Sequence, residues 1–157
     1  MMDARPRILV VGIGNDDRGD DAIGLAIARR IRALRPGGVT VEERSGDMVA
    51  LLDLWHGADT VYLIDAVRSA SAPGTVVRFD ALAGDLPNIF APHISSHGVG
   101  VADAVALAGA LDRLPAKLIV YGIEGRLFDA GSALSPEVAA IVDRTAQRII
   151  EELAPKG

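Results

Sequence analysis

Two carboxylates and one imidazole are the residues best placed to do chemistry: Asp21, Asp65 and His97. Asp21 opens the first turn of a helical pattern after an apolar run. Asp65 terminates the apolar run Thr60 to Ile64. His97 lies in Ser95-Ser96-His97-Gly98, just ahead of an apolar helical segment. In an open α/β sheet, positions that follow a strand or precede a helix share the carboxyl edge, where ligands bind. A mixed set of oxygen and nitrogen donors suits a borderline divalent ion such as Ni, Zn or Co better than Ca. An incomplete set leaves coordination positions for water or substrate. The two acids could equally work as an aspartic dyad, and residue types alone leave both chemistries open. Simpler roles also exist. An Asp after a strand caps turn N–H groups, and a His before a helix caps that helix. His93, four residues before His97, follows Pro92 and sits in a segment with no helical pattern, so it is the weaker histidine; His56 complements a helix end.

The elements that must position these groups begin with Ile8 to Gly24, ILVVGIGNDDRGDDAIG. A short apolar run closed by Gly12 and Gly14 reads as a buried strand of a parallel sheet. Ile23, Ile27, Ile31 and Leu34 then mark one face of a helix. The glycines invite a dinucleotide reading, but the third glycine of G-x-G-x-x-G is replaced by Asp17. Asp16, Asp17, Asp20 and Asp21 against Arg18 would repel a pyrophosphate and attract a cation. For Asp16, Asp17 and Asp20 the expected role is to cap and complement the helix start.

Farther along, Val39 to Glu43 alternates as a strand, Met48 to His56 forms a brief helix, and Thr60 to Ile64 is a second buried strand. The link from Asp65 to Gly74 is too short for a helical crossover, which makes Thr75 to Phe79 an antiparallel strand. Ala83 to Ser96 reads as a long functional loop, Gly98 to Leu111 as an apolar helix and Lys117 to Gly122 as the last strand. Ser135 and Pro136 start the final helix, with Val138, Val142, Ile149 and Leu153 as its buried stripe. The sum is one α/β domain over residues 1–157, a three-layer α/β/α sandwich with a mixed, mostly parallel five-stranded sheet of the phosphorylase/hydrolase-like kind.

Composition narrows the chemistry. A net charge of −5 argues against nucleic acid or an anionic membrane surface as partner. The absence of cysteine excludes disulfides, thiolate metal sites and a cysteine nucleophile on this chain. The charged N-terminus precedes only a short apolar run, so no signal peptide or membrane span is expected, and the cytoplasm is the expected location. No G-x-S-x-G occurs to support serine chemistry.

Gly12-Ile13-Gly14-Asn15, Asp20-Asp21-Ala22-Ile23-Gly24, Leu63-Ile64-Asp65-Ala66, and Ile94-Ser95-Ser96-His97 with Gly98 and Gly100 together resemble the hydrogenase maturation proteases. Tyr121 to Glu124 and Leu134 to Val138 resemble that family's closing strand and last helix. The resemblance implies an endopeptidase that trims the C-terminus of a nickel-loaded [NiFe]-hydrogenase large-subunit precursor. It implies that Asp21, Asp65 and His97 are both the metal-contacting and the catalytic residues, with nickel presented by the substrate and not resident. The family usually has Glu where this chain has Asp21. Restoring Glu there is expected to preserve activity, because the preceding loop is polar and glycine-containing. The rival readings are a non-cleaving nickel-recognising assembly chaperone and, behind it, a hydrolase with a resident metal pair.

Overall fold

The sheet is built around three strands whose side chains are buried on both faces. The computed structural model describes residues 7–34, 36–45, 48–84 and 101–154. Its strands are β1 (Ile8–Ile13), β2 (Val39–Arg44), β3 (Thr60–Val67), β4 (Val76–Asp80) and β5 (Lys117–Glu124). They lie in the order β2-β1-β3-β5-β4. All neighbours are parallel except β4, which runs antiparallel to β5. The central strands β1, β3 and β5 are nearly continuous apolar runs because helices cover them on both sides. The edge strand β2 carries charged residues and is only partly buried. The antiparallel β4 follows from its short link to β3.

The helices are α1 (Ile23–Leu34), α2 (Met48–Trp55), α3 (Val101–Ala110), α4 (Pro136–Ala139) and α5 (Val142–Leu153). One face of the sheet packs Val10, Tyr62, Ile64 and Tyr121 against Ile27 and Ile31 of α1 and Ile149 of α5. The opposite face packs Val11, Leu63 and Val120 against Trp55 of α2 and Ala104 and Ala108 of α3. This is the three-layer sandwich that the sequence predicted. On the α5 side, Tyr62 and Tyr121 stack and both donate their hydroxyls to Glu152, which also accepts from Arg78. Burial, then Glu152, hold the Tyr62 hydroxyl protonated, with its pKa pushed up to about 12.

Several boundaries differ from the sequence expectation. A 3-10 helix, Gly19–Ala22, precedes α1, so Asp21 sits in a tighter turn than an α-helix would give. β3 runs on to Val67 and β5 to Glu124, because Asp65, Ala66 and Val67 continue the ladder opposite Gly122, Ile123 and Glu124. Asp65 therefore lies inside its strand and does not end it. The final helix breaks at Ile141, whose φ of −100° and ψ of 0° interrupt it. Ser135 makes no side-chain cap to α4; its hydroxyl is turned to another partner. Residues 85–100 lie outside the described residues, and with them His93, His97 and most of the predicted functional loop.

Candidate active site

Asp21 and Asp65 are both almost completely buried, each 1% exposed, and both sit at the carboxyl edge of the sheet. A glycine sets how the start of α1 meets the sheet at this edge. At Gly24, a Cβ would fall 2.3 Å from the Ile64 carbonyl oxygen and 2.4 Å from that of Ile13. Only glycine lets the start of α1 settle on the ends of β1 and β3. This seats the 3-10 helix that carries Asp21 against β3, the strand that carries Asp65. Gly14 does the same on the other side: a Cβ there would meet the Asp21 carbonyl oxygen at 2.2 Å. Asp65 shares side-chain parity with Val61, Leu63 and Val67, which face α2 and α3. It pairs across the ladder with Gly122. Its Oδ1 accepts the Ala66 N–H at 2.9 Å.

The other acids of the loop do different work. Asp16 is half-exposed and takes a two-point contact from Arg29, at 2.9 and 2.7 Å. That contact holds its carboxyl below the usual aspartate range. Asp17 is exposed. Neither caps the helix, so the expected capping role fails for both in detail, although both are surface acids.

Asp20 is the residue that spacing could not single out. It is fully buried, and its carboxylate accepts the N–H groups of Arg126 (2.7 Å), Leu127 (3.0 Å) and Ser135 (2.7 Å) and the Ser135 hydroxyl (2.8 Å). Burial pushes its carboxyl up, but these four donors outweigh it and hold the group below the ordinary range. Backbone bonds add to the joint: Asp20 N–H to Leu127 O at 2.7 Å, Gly19 N–H to Ser132 O at 3.0 Å and Gly131 N–H to Asp17 O at 2.6 Å. Asp20 thus ties the loop after β1 to the loop after β5. Glu124 acts similarly at a neighbouring strand end. Buried at the end of β5, it accepts the Ser69 N–H and hydroxyl and so fixes the loop after β3.

The structure thus brings two of the three expected site residues to one edge. His97 lies outside the described residues. Among the described residues, no three His, Cys, Asp or Glu side chains cluster to hold a metal ion. The family model described as hydrogenase maturation protease matches residues 44–152. The chain belongs to the hydrogenase maturation protease family.

Relatives of this family match along almost the whole chain. The Hydrogenase 2 maturation protease of Escherichia coli (strain K12) is 28% identical over 156 residues, covering 96% of this chain and 93% of that protein. The hydrogenase expression/formation protein HoxM of Azotobacter vinelandii is 30% identical over 158 residues, covering 97% of this chain and 74% of that one. Among solved structures, the hydrogenase maturating endopeptidase HybD from E. coli superposes with a TM-score of 0.78 at 28% identity, over 94% of this chain and 91% of that one. The [NiFe] hydrogenase maturation protease HybD from Thermococcus kodakarensis gives 0.69 at 32% identity, over 95% and 99%. The fold of this chain is the maturation protease fold, and its activity is that of a peptidase. The family match starts at residue 44, so it spans Asp65 and His97, whereas Asp21 lies ahead of it.

Proposed function

We propose that this peptidase removes the C-terminal extension of a nickel-loaded [NiFe]-hydrogenase large-subunit precursor, in the cytoplasm. The observation that carries the reading is the pair of buried carboxylates, Asp21 and Asp65, brought to one sheet edge in a member of this family. Carboxylate oxygens are hard donors suited to a divalent cation, and two at one edge offer such donors to a cation that arrives with the substrate. His97 is proposed as the third member. Residues 111–116 carry the chain from α3 straight into β5, so α3 starts at the carboxyl edge, and His97 precedes its first residue by four positions.

In this reading Asp21, Asp65 and His97 engage nickel that the precursor holds, and the metal is a feature of the substrate. Its contribution when presented is Lewis acidity toward the scissile carbonyl. The chain's own carboxylates hold and orient the attacking water and accept its proton. The test is incubation of the nickel-loaded precursor with the protein, read by intact mass. A product shortened at its C-terminus is expected. A precursor that is bound but stays full-length would replace this reading with the assembly-chaperone one.

A further inference from the structure

A cleft of about 660 Å³ opens among the loops that follow β1, β3 and β5, at the carboxyl edge of the sheet, and its lining includes neither Asp21 nor Asp65. Three arginines from three different loops meet in it: Arg18 after β1, Arg68 after β3 and Arg126 after β5. All three are exposed. The acids of the lining are Glu124 and Asp129, which leaves a net of +1 in a chain whose net charge is −5. Glu124 is already engaged by Ser69. The Arg68 guanidinium lies 4.1 Å from the centre of the Phe128 ring. Stacking of this kind occupies the face of the guanidinium and leaves its in-plane N–H donors for an oxyanion. Arg126 meets Glu137 at 3.2 Å, with both side chains about half exposed, a pair that exchanges readily with solvent or a ligand.

The cleft is also preformed. The Asp20 joint fixes Arg18 relative to Arg126, and the bonds from Gly125 N–H to Val67 O (3.0 Å) and Gly74 N–H to Glu124 O (2.8 Å) fix the third wall. Arg18 stands three residues before Asp21, and Arg68 three residues after Asp65.

We propose that Arg18, Arg68 and Arg126 form a carboxylate subsite. It holds a carboxylate of the peptide substrate. The proposal rests on the peptidase reading above and adds what that reading leaves open, the chemistry selected in the peptide. Guanidinium groups pair with carboxylates at two points, and this geometry rewards an acid over its amide.

The test uses short alanine-glycine peptides with one Glu or one Gln, each with a free or an amidated C-terminus. Binding is followed by NMR titration, without cleavage. Wild type should bind a carboxylate-bearing peptide about tenfold more tightly than the fully neutral one. The comparison of Glu-amide with Gln-acid peptides says whether a side chain or a chain end supplies the carboxylate. The triple variant Arg18→Gln, Arg68→Gln, Arg126→Gln should lose the preference while keeping its unfolding temperature. On nickel-loaded precursor, the same variant should raise KM with kcat largely kept. If wild type cuts the precursor and yet shows no preference for any carboxylate peptide, the subsite is overturned while the peptidase reading stands. If wild type shows the preference and the precursor stays full-length, the peptidase reading fails and the anion site remains.

Discussion

Replacing Asp20 tests whether the loops at the sheet edge are held by one buried carboxylate. In Asp20→Ala, three backbone N–H groups and the Ser135 hydroxyl lose their acceptor; the bonds to Ser135 are buried and those to Arg126 and Leu127 partly so. A buried donor left without a partner costs roughly 1–3 kcal/mol. The Ser135 hydroxyl can rotate to another acceptor, and a water can enter the vacated space, so the four losses do not add fully. The expected destabilisation is about 3–5 kcal/mol. For a chain of this size that lowers the unfolding temperature by roughly 6–20 °C. Asp20→Asn keeps one oxygen acceptor but turns an NH2 toward N–H donors, and should cost about half as much. Urea unfolding at neutral pH measures both. A loss below about 1 kcal/mol in Asp20→Ala would refute the idea that this carboxylate joins the loops.

The joint also sets an acid limit. The Asp20 carboxyl is held below its ordinary range in the fold, so the unfolded chain takes up the proton first. Its contribution is complete above the unfolded aspartate pKa of about 4 and is lost as pH falls below that value. Wild-type stability should drop more steeply below about pH 4 than that of Asp20→Asn.

Asp65→Asn should abolish precursor processing with little change in fold, as judged by intact mass and by circular dichroism. Asp16→Asn and Asp17→Asn should process at near wild-type rates; even the Asp16–Arg29 contact, being half-exposed, should change stability by less than about 1 kcal/mol. Gly24→Ala should destabilise by about 3 kcal/mol or more, since the new methyl group collides with two carbonyl oxygens, and calorimetry would show it.

Much of the fold is legible in the chain, for physical reasons. Buried strands announce themselves by apolar runs, as β3 and β5 do. The antiparallel β4 follows from a link too short to cross over. The strand ends are harder to place, because a polar residue such as Asp65 reads as the end of a strand. Burial of Asp65 beside a glycine keeps the ladder going to Val67 instead. The division of labour in the acidic loop is less legible. Asp20 and Asp21 are neighbours of identical type, and only the fold decides which carboxylate meets the loop after β5. In a 3-10 helix successive side chains are about 120° apart, so the turn that aims Asp20 at residues 126–135 aims Asp21 elsewhere. The partners of Asp20 lie more than a hundred residues away, beyond any local spacing rule.

That same turn changes the expectation for the shorter acid. From sequence, the loop before Asp21 looks able to adjust, which favours retained activity in Asp21→Glu. The fold ties that loop down on several sides. The Asp21 N–H bonds to Arg18 O at 3.0 Å, Gly14 leaves no space against the Asp21 carbonyl, and the Asp20 joint clamps the preceding residues. The side chain is also 1% exposed, so a longer one has no solvent to fold into. An added methylene carries the carboxylate about 1.5 Å further. Reactive groups tolerate about 0.5 Å of misplacement, and a 1 Å error can cost about a hundredfold in rate. Asp21→Glu should therefore process the nickel-loaded precursor about ten- to a hundredfold more slowly than wild type, while Asp21→Asn, with the shape kept and the charge removed, should not process it at all. A single-turnover time course on the precursor separates these outcomes. A Glu variant running at the wild-type rate would show that the pinned backbone yields after all. An active Asn variant would take Asp21 out of the site.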